Sequence, residues 1–271
     1  MIHLLVCFFG AVSIAFPNVF KVFKDYGSPA DYGLQSEAVI LDSGEHAWWF
    51  PHPNARRTVV ICHGRSRGKA YMLPLIVALA RDYNVFAIDF QGHGENSFRP
   101  TTLGEQESAS VGAAVGYLEK KGHRDVVLFG VSMGGSAVLL WAGENHSPVI
   151  TGVVADGTFA RLNPYLIRKA NSLWIPTYLA KASIALAGWM SGYNPKDVNP
   201  AESIAKIQYA GLILHGDEDD LIPVENLKWL RETAGKNFES HIYTGAHDQP
   251  NNPDFQQKVL SFVERVPIQY Q

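Results

Sequence analysis

Residues 125–142 read DVVLFGVSMGGSAVLLWA. The opening stretch, 125–129, is short, β-branched and apolar, the composition of a strand buried on both faces. Residues 133–142 are small and apolar and long enough for a helix. Between them lies Gly130-Val131-Ser132-Met133-Gly134, a G-x-S-x-G pattern at a strand-to-helix junction. The spacing has a physical reason. So tight a turn brings backbone against backbone, which excludes side chains two residues either side of the serine and makes its hydroxyl project. The new helix aims its positive N-terminal dipole at the same point, favouring developing negative charge. Ser132 is therefore the candidate nucleophile. The plain alternative is a glycine-rich turn with an incidental serine, and the flanking strand and helix weigh against it.

Working outward, strands are expected near 37–41 and 47–50, then at 58–62 (TVVIC), 84–90, 149–155, 212–215 and 240–243. Helices are expected from about Ala70, behind Thr102-Leu103-Gly104-Glu105, which has capping-box form, and at the C-terminus, where Phe255, Val259, Phe262 and Val263 share a face. Strand and helix alternate, which implies an α/β fold with a mostly parallel central sheet covered by helices on both faces. In such sheets ligands sit at the carboxyl ends of the strands. Residues 158–200 break the rhythm. They carry Trp174, Tyr178 and Trp189, and are expected to form a helical cap whose aromatics bind substrate, or, more plainly, stitch the cap to the sheet.

The bulk properties fit one globular domain with an insertion: 271 residues, 46% hydrophobic and 18% charged, with no dividing linker. A net charge of -3 without a Lys/Arg stripe gives no nucleic-acid footprint. Cys62 reads as a buried apolar residue, and two cysteines make no disulfide framework. Segment 1–20 stands apart from the domain at 36–271. Residues 4–16, LLVCFFGAVSIAF, are fewer than the ~18 a spanning helix needs. They suit a signal-peptide core with 13–15 as a cleavage site, although no Lys or Arg precedes them. Export or membrane association through residues 4–16 is expected ahead of a cytoplasmic location; the plain alternative is a segment packed on the body.

A serine hydroxyl needs a base. Of ten histidines, His63, His93 and His215 sit among turn residues with structural explanations. His247, in Gly245-Ala246-His247, follows the last strand and is the candidate base. The acid that orients it is sought in Asp217-Glu218-Asp219-Asp220, with Asp219 preferred, or at Asp156 after the preceding strand. An oxyanion needs two N–H donors. Met133 is expected to supply one and Arg65, in the loop after 58–62, the other; the Arg65 side chain is read as a surface group ahead of the alternative that it points into the cleft and favours an anionic substrate.

Together these residues resemble the α/β-hydrolase family from about residue 36 onward. The likeness rests on His63-Gly64, the 89–97 loop DFQGHGENS, G-x-S-x-G, residues 215–223 (HGDEDDLIP) and the late G-x-H. It places Asp219 at the family's acid position. The chain looks most like the lysophospholipase and monoacylglycerol-lipase branch, and departs from the HGGG esterases because Arg65 and Ser66 stand where two of those glycines would. The resemblance implies a serine esterase without cofactor or metal, acting on a small-molecule or lipid ester through an acyl-enzyme. The alternatives are a peptidase of prolyl-oligopeptidase likeness, which lacks its propeller here, and a non-catalytic binding protein on the same scaffold.

Overall fold

The computed structural model describes residues 2–16, 26–96 and 99–267; Ser97, the last residue of the 89–97 loop, lies outside them. Eight strands form one sheet: β1 (Glu37–Ile40), β2 (His46–Phe50), β3 (Thr58–Cys62), β4 (Asn84–Ile88), β5 (Val126–Val131), β6 (Ile150–Asp156), β7 (Ala210–Gly216) and β8 (Phe238–Tyr243). Their spatial order is β1-β2-β4-β3-β5-β6-β7-β8. β2 runs antiparallel to both neighbours and the other pairings are parallel.

The apolar runs are continuous because both sheet faces are covered. Alternate side chains serve alternate cores. Val60, Cys62, Val126 and Leu128 pack beneath α3 (Glu105–Lys120), α4 (Met133–Glu144) and α8 (Glu225–Thr233). Val59, Ile61, Val127 and Phe129 face α2 (Leu73–Leu79) and α9 (Pro253–Arg265). Cys62 is buried, and neither cysteine is in a disulfide.

The expected helix start at Thr102 is corrected by two residues. Gly104 is the N-cap of α3, and Glu107 rather than Glu105 closes the cap. Its carboxylate accepts from Gly104 N at 2.8 Å, Thr102 N at 3.1 Å, and the hydroxyls of Thr101 and Thr102 at 2.6 Å each. The chain must first turn through Leu103 and Gly104, both at positive φ, before helical geometry begins.

Insertion 158–200 carries α5 (Leu162–Ser172) and α6 (Thr177–Ser191), and short α7 (Pro200–Ile204) leads back to β7. Residues 2–15 form α1 (Ile2–Ala15), which packs along α6 rather than extending from the body. Its Ala15 carbonyl accepts from Thr101 N at 2.8 Å. Ala11 and Ala15 are fully buried, together with Ala187 of α6. No described helix is long and apolar enough to cross a membrane.

Candidate active site

Ser132 sits between β5 and α4 at φ 54, ψ -117. A non-glycine residue held there stores about 1–3 kcal/mol of strain. The elbow is sterically closed around it. A Cβ on Gly130 would lie 2.3 Å from Gly134 O, and one on Gly134 would lie 2.3 Å from Cys62 O. The Ser132 amide is anchored to Asp156 O at 2.8 Å. Its hydroxyl has no hydrogen-bond partner among the described residues and faces a cleft of about 370 Å³ that His247 also lines.

His247 Nδ1 lies 2.6 Å from Asp219 Oδ2. The other carboxylate oxygen, Oδ1, accepts from Leu221 N at 2.9 Å and Ile222 N at 2.8 Å. Asp219 is thus oriented by its own loop. Burial works against protonation of His247, but the Asp219 hydrogen bond and charge, with the charges of Asp248 and Asp156, outweigh it and raise its pKa. Gly157, at φ 52, flanks this pair: a Cβ there would lie 3.2 Å from His247 Nδ1 and 3.4 Å from Asp219 Oδ2.

Asp156, the alternative acid, does not bond His247. Tyr243 OH donates to its Oδ2 at 3.2 Å, and burial pushes its carboxyl up to about 7. His63, His93 and His215 are bonded to backbone groups. His63, buried and pushed down to about 3 chiefly by desolvation, accepts from Phe90 N at 3.1 Å. His93 Nδ1 lies 3.0 Å from Gln91 O, and His215 Nε2 lies 2.7 Å from Ile222 O. The N–H groups of Met133 and Arg65 donate to no protein acceptor among the described residues.

Two expectations are corrected. The Arg65 side chain is no surface group; its guanidinium donates to Ser13 O and, at 3.1 Å, to Ile14 O, the free carbonyls at the end of α1. Trp174, Tyr178 and Trp189 do not line the cleft. Trp174 is 94% and Trp189 80% exposed, and Tyr178 is exposed beside them. The inner face of α6 belongs to α1, so Tyr178 and Trp189 are turned outward, and Trp174 stands out from the turn before α6. The cleft wall instead comes from Leu103, Phe159, Tyr165, Leu166, Ile175 and Ile184, with Ser13 and Ile14 of α1.

Asp248 also lines the cleft and was not foreseen. Its Oδ2 lies 3.6 Å from Arg67 Nε, and Tyr71 OH donates to its carbonyl. Burial raises its pKa. Adjacency to His247 was the one sequence signal available for it.

The profile of the alpha/beta hydrolase family matches residues 59–257. The chain belongs to the alpha/beta hydrolase family. Among curated proteins the chain is similar to YqkD of Bacillus subtilis, 30% identical over 190 residues, covering 67% of this chain and 61% of that protein. It is also similar to WAV2 of Arabidopsis thaliana, an alpha/beta hydrolase domain-containing protein, at 25% over 227 residues, covering 76% and 69%. The chain thus spans about three fifths of the length of YqkD. Among solved structures it shares the fold of the Pyrococcus furiosus esterase Pf2001, with TM-score 0.74 and 23% identity over 91% of this chain and 97% of that one. The esterase RhEst1 from Rhodococcus sp. ECU1013 shares it at TM-score 0.60 and 19% identity, covering 86% and 100%.

Proposed function

We propose that the protein cleaves carboxylic esters through an acyl-enzyme on Ser132, with His247 as base and Asp219 as acid. One observation carries this reading: a strained serine at a helix N-terminus opens into the same cleft as an imidazole held at 2.6 Å by a buried carboxylate.

The chemistry follows from these groups. His247 Nε2 accepts the Ser132 proton as Oγ attacks the ester carbonyl carbon. Asp219 holds the Nδ1–H tautomer and stabilises the imidazolium. The tetrahedral oxyanion takes the N–H groups of Met133 and Arg65, and the α4 dipole favours its charge. Collapse expels the alcohol, to which His247 returns the proton. Water, deprotonated by the same imidazole, then attacks the acyl-enzyme and releases the acid. The scheme uses no cofactor and no metal. Among the described residues, no group of three or more His, Cys, Asp or Glu is placed to hold a metal ion.

The cleft supports an apolar acyl group, since Leu103, Phe159, Leu166 and Ile184 line it. Each methylene buried there contributes up to ~0.8 kcal/mol, so medium acyl chains are preferred over acetyl. The esterase names of the structural neighbours support the reaction class. A fluorophosphonate probe and a chromogenic ester series from acetyl upward test the reading. Labelling at Ser132 and turnover that both vanish in Ser132→Ala are expected. Turnover surviving in that variant, or no labelling of the wild type, refutes it.

A further inference from the structure

Among the described residues, most of the exposed large apolar side chains lie on α1 and the cap. On α1, Leu4, Leu5, Phe8 and Phe9 are exposed and recur at one- and four-residue intervals, so they share one face. On α6, Tyr178, Lys181, Ala182, Ala185 and Trp189 are exposed at helical spacing and form its outer face. Trp174 stands out from the turn between α5 and α6. The two faces meet where the rings of His3 and Tyr178 lie 5.9 Å apart.

Segment 158–200 holds five Lys or Arg and one Asp; of these, Lys181 stands exposed on the outer face of α6 between Tyr178 and Trp189, while Arg168 is paired with Glu225 at 3.9 Å and Lys169 lines the cleft. Residues 2–16 hold no Asp, Glu, Lys or Arg. A second copy of the same face would bring like charge against like charge, whereas an anionic surface complements it. Trp and Tyr beside exposed aliphatic groups and a Lys are the composition of a water–lipid boundary.

No described helix is long and apolar enough to cross a membrane, and polar bonds to Arg65 and Thr101 hold the C-terminal end of α1 against the body. We infer that α1 and α6 lie in the plane of an anionic lipid surface, with the apolar side chains of α1 and the exposed cap aromatics entering the headgroup boundary. Ser13 and Ile14 of α1 and Ile175 and Ile184 of the cap are at once walls of the cleft. The docked face and the cleft wall are therefore built on the same two layers of structure. Docking goes beyond the proposed hydrolysis and does not depend on it.

Co-sedimentation with vesicles of phosphatidylcholine alone, and of phosphatidylcholine with phosphatidylglycerol, tests this on the full chain. The wild type is expected to sediment with the anionic vesicles, less in high salt, and weakly with the neutral ones. Phe8→Ser/Phe9→Ser should weaken partition by about tenfold or more per ring on both. Lys181→Glu should weaken it on anionic vesicles only. Trp174→Asn, which suits the local φ of 61, perturbs no packed residue and should also weaken it; it keeps the test sound if the α1 variant misfolds. All folded variants should turn over a short soluble ester like the wild type, so loss of esterase activity reports on the hydrolase reading and loss of sedimentation on docking alone. Absence of wild-type sedimentation, or equal sedimentation by Trp174→Asn and Lys181→Glu, overturns the inference. A wild-type dimer that ignores vesicles and dissociates on Phe8→Ser/Phe9→Ser overturns it in favour of a second copy.

Discussion

Replacing Asp219 with Asn changes one atom at the centre of the proposed mechanism, and the surroundings dictate which way the amide must face. Asp219 Oδ1 accepts two backbone N–H groups, from Leu221 and Ile222. An Asn amide keeps both bonds only if its oxygen takes that position. Its NH2 then replaces Oδ2 and points a donor at His247 Nδ1. The imidazole must accept there, so its proton moves to Nε2, where it blocks transfer from Ser132. The productive tautomer requires the amide to flip, which sets donor against donor and leaves two N–H groups unpaired. At roughly 1–3 kcal/mol each, the flip costs about 2–6 kcal/mol, or ~30-fold to ~10⁴-fold in kcat/KM. The pH profile separates this from simple misfolding. Asp219 opposes burial and raises the His247 pKa, so wild-type kcat/KM should rise with pH through a midpoint above the ordinary ~6.5, because only the neutral imidazole accepts a proton. In Asp219→Asn burial prevails and the midpoint moves to lower pH. The assay is hydrolysis of a soluble chromogenic butyrate from pH 5 to 9, with circular dichroism as the folding control. A folded variant that keeps more than a tenth of wild-type kcat/KM with an unmoved midpoint refutes the assignment.

Asp156→Asn should change kcat/KM less than about threefold at pH 6, where a carboxyl pushed up to about 7 is already largely neutral; a loss like that of Asp219→Asn would make Asp156 the acid. Gly157→Ala places a methyl 3.2 Å from His247 Nδ1 at a positive φ, and should lower kcat far more than KM; single-turnover acylation checks this. Trp174→Ala and Trp189→Ala should leave the acyl-chain profile on soluble esters unchanged. Ile184→Trp narrows the cleft, and should cost long chains ~4-fold in kcat/KM per displaced methylene, read from the same chromogenic series.

The parts of this protein legible in its sequence are those in which neighbours along the chain decide the geometry. The buried runs at β3 and β5 and the G-x-S-x-G turn are local: a strand covered on both faces must be apolar throughout, and an elbow this tight must exclude side chains on either side of Ser132. His247 follows the last strand and Asp219 lies in the loop after β7, so parallel strands carry both to one edge. Asp219 was separable from its three acidic neighbours only through family likeness. What distinguishes it is where its oxygens meet Leu221 N, Ile222 N and His247, and that is tertiary. Residues 4–16 were ambiguous for the same reason. A charge-free apolar run suits a leader, a membrane surface or a packed helix equally. Only the arrival of α6 and Arg65, from 50 to 180 residues away along the chain, makes it a wall of the cleft. The cap aromatics show the limit most clearly. Trp174, Tyr178 and Trp189 have the composition of a binding pocket, but a helix has two faces, and which one looks inward depends on what packs against it. Here α1 takes the inner face of α6, so Tyr178 and Trp189 look outward and Ile184 looks in, while the turn before α6 carries Trp174 outward.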